Sequence, residues 1–146
     1  MNLPLAHPDY LSYRVKRVYM LISQRLNDAL KPYGLARSQW QVLSRVSSAG
    51  TLSQKDLQRS MQVESATLTG IIDVLTAKGW VERLESPEDR RCRVLRLTPE
   101  GDTLMASIAD PYELVEANML GDIPEKDRTH ARRVLESMIR NLEERS

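Results

Sequence analysis

The chain has 146 residues, a formal net charge of +1, one cysteine, two tryptophans and no phenylalanine. That length suits one domain burying roughly two-thirds of its unfolded surface, with a core that Leu, Val, Ile and Met must build. A lone cysteine excludes an intrachain disulfide framework, no stretch approaches the roughly 20 apolar residues of a membrane span, and residues 1–8 lack the basic start and apolar run of a signal peptide, so a cytoplasmic protein is the expectation.

In chain order, residues 9–31 place Leu11, Val15, Val18, Ile22, Leu26 and Leu30 three or four apart, which predicts a helix with one apolar stripe. Pro32, Tyr33 and Gly34 end it. A second helix fits residues 37–48, with Trp40, Leu43 and Val46 inward and Ala49-Gly50 closing it. Ser53 followed three residues later by Asp56 resembles a capping box, opening a short helix to about Ser60. After the tight connection Met61–Glu64, an amphipathic helix runs from Ser65 to Lys78, with Leu68, Ile71, Ile72 and Leu75 as its buried face. Lys78 and Gly79 supply the closing cation and glycine. Two helices joined by about four residues are helix-turn-helix geometry, although an ordinary αα-hairpin has the same pattern.

The next segment separates those alternatives. Residues 80–101 read as two short strands joined by a charged tip, with Leu95 and Leu97 on one face of the returning strand and Val94 and Arg96 on the other. Thr98, Pro99 and Glu100 then form a helix start: N-cap, proline at the first helical position, and an acid in the first turn. Leu104, Ile108, Tyr112, Val115 and Met119 continue that helix, which Pro111 should kink or split near Asp110. A turn over 121–124 leads to a last helix carrying Ala131, Val134, Leu135, Met138 and Leu142.

Charge follows the same organisation. Residues 1–37 hold six basic and two acidic side chains, 38–50 add Arg45, 51–100 hold eight of each sign, and 101–146 hold six basic against ten acidic. Inside the neutral middle, Arg90, Arg91, Arg93 and Arg96 form a knot of positive charge, and such clustering is the footprint of a DNA-binding module.

The expected fold is mainly α with a small β-hairpin wing, in a single domain over 1–146. A winged helix-turn-helix lobe spans 37–98, and residues 9–33 and 99–146 form a helical dimerisation region. The terminal helices are amphipathic with no third partner in sequence. Packing on each other and on a second copy makes a homodimer, whose two-fold axis would match a palindromic site in double-stranded DNA.

The run from Gly34-Leu35 through Trp40–Leu43, then Ser53–Leu57, Leu75–Arg83, and the hairpin through Leu97-Thr98-Pro99-Glu100-Gly101 resembles the MarR family, in order over about residues 10–145. The most specific part is the wing, with Asp89 and Arg91 as Asp-any-Arg, followed by Leu-Thr-any-any-Gly. The resemblance implies homodimeric transcription regulators, usually repressors, released by small aromatic or anionic ligands or by thiol oxidation.

The resemblance further implies that Arg91, within the wing 86–92, enters the minor groove, where narrow A·T segments concentrate negative potential. Asp89 would pair with it or with a neighbouring backbone group; a solvated surface pair is the alternative. Arg90 and Arg93 are candidates for phosphate contact. The outer face of the recognition helix 65–78 carries Ala66, Thr69, Gly70, Asp73 and Ala77, flanked by Ser65 and Thr67. Family members often have basic residues where Gly70 and Val74 stand, so guanine reading by a long cation is lost here. Small residues let the helix sit deep. Ser65, Thr67 and Thr69 then face bases or phosphates, and Ala66 faces a thymine methyl. Asp73 either accepts from cytosine or pairs with a nearby arginine. Gln54 and Lys55 are candidates for phosphate contact at a helix amino end, or an exposed polar turn.

Arg17 and Trp40 match positions that often line family ligand pockets, and an arginine beside an aromatic ring suits a phenolic or carboxylate effector. Core packing for Trp40 and a salt bridge for Arg17 are the alternatives. Cys92, between two arginines, is a candidate redox sensor. The cysteines that sense oxidation in the family usually lie in the first helix, so an incidental thiol is the preferred reading. His7 and His130 stand near no plausible nucleophile, and no metal-ligand spacing, phosphate-binding glycine loop or Ser/His/Asp grouping is present, so neither enzyme nor cofactor is expected. The competing readings are a ligand-independent or redox-responsive DNA-binding regulator and a winged-helix protein-interaction module.

Overall fold

The structure, a computed structural model, describes residues 9–145. His7 and the amino-terminal segment examined for signal features lie outside the described residues. The chain divides into two compact units, one ending at Pro111 and the other beginning at Tyr112.

The first unit begins with α1 (Leu11–Leu30), extended by a 3-10 turn at Lys31–Tyr33 that Gly34 closes at φ +69°. Helix α2 (Arg37–Ala49) follows. Ala36, its N-cap, has no capping side chain, and two other residues supply the missing acceptors. Gln39 Oε1 accepts from the Ala36 amide at 3.0 Å, and Asn27 of α1 accepts from the Arg37 amide at 3.0 Å. Next come β1 (Thr51–Ser53) and α3 (Gln54–Met61), where the Ser53 hydroxyl accepts from the Asp56 amide at 3.0 Å as an N-cap should.

Helix α4 (Ser65–Ala77) leads through Lys78 and Gly79 into β2 (Val81–Glu85), β3 (Arg93–Leu97) and α5 (Pro99–Ser107). The sheet has three antiparallel strands in the order β1-β3-β2, rather than the two of a simple hairpin. The added strand pairs Thr51, Leu52 and Ser53 with Arg96, Leu95 and Val94. Three residues are too short to display a period of two, which is why β1 is invisible in the sequence.

The core joins α2, α3, α4 and the sheet. Trp40, Val42, Leu43 and Val46 come from α2, Leu57 from α3, Leu68, Ile72 and Leu75 from α4, and Val81, Leu95 and Leu97 from the strands. Each large aliphatic side chain so buried contributes about 1.5–3 kcal/mol. No charged or polar side chain is buried among the described residues.

In the second unit, α6 (Pro111–Leu120) and α7 (Glu125–Glu143) are joined by a short turn. The Arg128 guanidinium closes it by donating to the carbonyls of Ile123 at 2.7 Å and Gly121 at 3.2 Å. The helix expected from Thr98 onward is split at the proline, since α5 stops at Ser107 and α6 starts at Pro111.

Candidate nucleic-acid interface

Helices α3 and α4 are joined by residues 62–64, and Gln62 takes a left-handed conformation at φ +53° to turn the chain. Leu57 and Leu68, both fully buried, hold the two helices to a common core. A polar bridge joins them outside it. Gln54 Nε2 donates to the Thr69 hydroxyl at 3.1 Å, and that hydroxyl donates to the Ser65 carbonyl at 2.9 Å. Gln54 and Thr69, expected as separate DNA contacts, are thus spent partly on each other. Lys55 remains exposed at the start of α3.

On α4, Ser65, Ala66, Thr67, Gly70 and Asp73 are exposed while Leu68, Ile72 and Leu75 face the core. Of the two partners expected for Asp73, an arginine is present within the chain. Arg83 of β2 donates to its carboxylate at 2.6 Å, tying α4 to the sheet. Nothing in the local spacing announces this pair, because the nine intervening residues include a helix end and a turn. Arg83 is therefore a residue that sequence reasoning missed.

The wing begins where β2 ends. Ser86 N–H donates to the Cys92 carbonyl and Cys92 N–H to the Asp89 carbonyl, both at 3.0 Å. Asp89 Oδ1 accepts from the Arg91 amide at 2.9 Å and lies 3.5 Å from Arg91 Nε. Both expected partners of Asp89, backbone and guanidinium, are thus present. The Arg91 side chain is 93% exposed, so the tight turn presents a guanidinium whose base is held while its face is open to solvent. Arg90 and Arg93 are exposed and have no ion pair among the described residues. Arg96 is different. Its guanidinium donates twice to Glu82 Oε1, at 2.9 and 2.6 Å, across β2 and β3. It belongs to the sheet rather than to the free positive charge of the tip. The Cys92 thiol is exposed, with its Sγ 3.8 Å from Asp89 Oδ2.

The base of the wing is anchored to the core. The Thr98 amide donates to the Trp80 carbonyl at 3.1 Å, its hydroxyl bonds the Gly79 carbonyl, and the same hydroxyl accepts from the Gly101 amide at 3.1 Å. Lys78 donates to the Gly34 carbonyl at 2.8 Å while lying 4.9 Å from the centroid of the Trp80 ring.

The two candidate ligand residues fare differently. Trp40 is 8% exposed and part of the hydrophobic core, which leaves little of its ring for a ligand, whereas Arg17 is exposed on α1. Among the described residues no grouping of His, Cys, Asp and Glu could hold a metal ion, and no helix is long and apolar enough to cross a membrane.

A two-helix motif followed by an anchored hairpin with an exposed basic tip defines a winged helix-turn-helix protein. The MarR family model matches residues 35–93. An uncharacterized HTH-type transcriptional regulator of Bacillus subtilis strain 168, YwoH, is 31% identical over 119 residues, covering 82% of this chain and 86% of that protein. The multiple antibiotic resistance protein MarR of Salmonella typhimurium is 34% identical over 87 residues, which span 58% of this chain and 60% of that protein. Among solved structures, a mutant of E. coli MarR complexed with operator DNA superposes with a TM-score of 0.80 at 23% identity, covering 88% of this chain and 92% of that one. Bordetella bronchiseptica BpsR, whose DNA binding is regulated by 6-hydroxynicotinic acid, gives 0.79 at 22% identity, covering 93% and 97%. The chain belongs to the MarR family: it is a DNA-binding transcriptional regulator and not an enzyme.

Proposed function

We propose that this chain acts in the cytoplasm as a homodimeric repressor on a palindromic operator, with α4 in the major groove and the wing tip in the minor groove. The observation that carries the reading is Arg91, 93% exposed at the end of a turn whose backbone Asp89 holds. Arg90 and Arg93 beside it supply phosphate affinity. Ser65, Ala66, Thr67 and Gly70 are the exposed positions of α4 that would face base edges, and Lys55 would meet the backbone from the start of α3.

Dimerisation is supported by apolar surface left bare in each unit. In the first, Leu11, Val15, Val18 and Leu21 are 41–52% exposed; in the second, Leu135, Ile139 and Leu142 are 45–74% exposed. Contiguous apolar surface of this kind marks an interface. A small phenolic or carboxylate effector, with Arg17 as its anion partner, is the proposed release signal, and the relative regulated by a hydroxylated aromatic acid supports that chemistry.

The test is binding of a duplex selected from a random-sequence pool, measured by fluorescence anisotropy. Wild-type protein should bind an inverted repeat as a dimer, and a monomer by light scattering would sink the homodimer. A thermal-shift screen of phenolic acids that yields no stabilisation would remove the effector from the proposal and leave DNA binding untouched.

A further inference from the structure

We infer that α4 reads its half-site through thymine methyl groups rather than through hydrogen bonds to purines. The inference rests on the proposed seating of α4 in the major groove and concerns what it recognises there. Guanine is read in that groove by Arg or Lys and adenine by Asn or Gln, each in bidentate geometry. The segment Ser65–Ala77 contains none of these residues.

Three of the five polar side chains it carries are engaged inside the chain, and the other two, Ser65 and Thr67, lie in its first turn. Asp73 is bound by Arg83 at 2.6 Å. The Thr69 hydroxyl donates to the Ser65 carbonyl and accepts from Gln54, and the Thr76 hydroxyl donates to the Ile72 carbonyl at 2.8 Å. What the helix leaves exposed is a row at four-residue spacing, Ala66, Gly70 and Val74, running from the side opposite its buried residues onto the flank. Val74 is 41% exposed, an apolar side chain left bare in a helix whose other large aliphatics are packed. A Cβ on Gly70 would meet nothing within 4 Å, so no neighbour in the chain covers the row.

In the major groove the apolar group that such a row can contact is the C5 methyl of thymine. Burying a methyl against Ala66 or Val74 removes it from water, whereas a guanine or adenine edge placed there would lose hydrogen bonds to water with no replacement. The engaged Asp73 also spares the helix an unpaired carboxylate facing phosphates.

The experiment uses the full chain and a duplex recovered by selection from a random-sequence pool. Thymines are replaced one at a time by deoxyuridine, which removes the methyl, keeps every hydrogen-bonding edge and leaves the minor groove unaltered. Affinity should fall about four-fold for each methyl seated against the helix, the Boltzmann factor of one buried carbon group. Val74→Ala should make the protein indifferent to the swap beneath that position while retaining sensitivity at the others. Fully uracil-substituted duplexes that bind as tightly as the parent overturn the inference. So do selected half-sites in which methylation of guanine N7 under α4 abolishes binding. A pool from which no duplex is enriched overturns the underlying operator reading instead, and the methyl reading with it.

Discussion

Gly101, in the first turn of α5, packs its Cα against the carbonyl oxygen of Trp80, so close that a Cβ there would overlap that oxygen. The contact explains the Leu-Thr-any-any-Gly run after the wing. Thr98 caps α5 while bonding back to Gly79 and Trp80, and the helix can come that near only if its third residue has no side chain. The obstacle is backbone, which cannot rotate away as a side chain would.

Gly101→Ala should therefore destabilise the protein by about 1–3 kcal/mol, the range for overpacking a closed site. Thermal unfolding would register this as a fall in Tm of about 2–4 °C per kcal/mol. An unchanged melting curve would mean that the α5 contact with Trp80 is looser than described.

Gly70 offers the opposite case. It lies within α4, its backbone is not in the left-handed region, and a Cβ has open space. Gly70→Ala should stabilise the fold by about 0.5–1 kcal/mol through helix propensity alone. A simultaneous loss of operator affinity would locate the need for glycine in the DNA rather than in the fold. Stability lower than wild type would contradict the open environment.

Arg91 and Arg96, five residues apart, should separate binding from stability. Arg91→Ala should weaken operator binding by about 1–3 kcal/mol, the scale of one specific contact, and leave Tm unaltered, since its side chain is 93% exposed. Arg96→Ala removes the cross-strand pair with Glu82, which should cost about 0.2–1 kcal/mol of stability, and should leave the salt dependence of binding intact. Equal effects of the two substitutions on the salt slope would show that the wing works as undifferentiated positive charge.

Tyr19 should titrate early. The Arg37 guanidinium donates to its hydroxyl at 3.0 Å and its charge lies beside the ring, and both hold the phenol below its usual 10.0. Because the folded value is the lower one, the phenolate–guanidinium attraction adds stability fully above the unfolded pKa and loses it as pH falls through the folded one. Near-ultraviolet phenolate absorbance should show one of the five tyrosines ionising first. In Arg37→Gln that early step should disappear; its persistence would assign the shift to another residue.

Arg37 also shows where sequence reading stops. Its amide is capped by Asn27, and its guanidinium reaches Ser23 at 2.9 Å as well as Tyr19. These three partners lie four residues apart on one row of α1. Each belongs to a polar face that the apolar stripe leaves undescribed, and only the approach of α2 gives them a common partner. Arg83 with Asp73 and Arg96 with Glu82 were hidden for the same reason. A charged residue in a strand or helix reads as solvated until its neighbour across the fold is known. Trp40 illustrates the converse, since an aromatic residue at a helical core position reads equally as pocket wall or as packing, and burial favours packing.

The elements themselves were legible because their causes are local. Three-to-four spacing specified the helices, Ser53 and Thr98 announced their caps, Pro111 divided the long C-terminal helix, and alternation of Leu95 and Leu97 with Arg96 specified the returning strand. The motif Asp89-any-Arg91 marked the wing, and its turn is closed by contacts no more than six residues apart. Tertiary structure alone decided which arginines are free. Four cluster in sequence, yet Arg96 is taken by Glu82 and Arg91 is held only at its base. The difference depends on partners brought together by strand pairing, and ion pairing acts on distance in space, which a spacing along the chain does not encode.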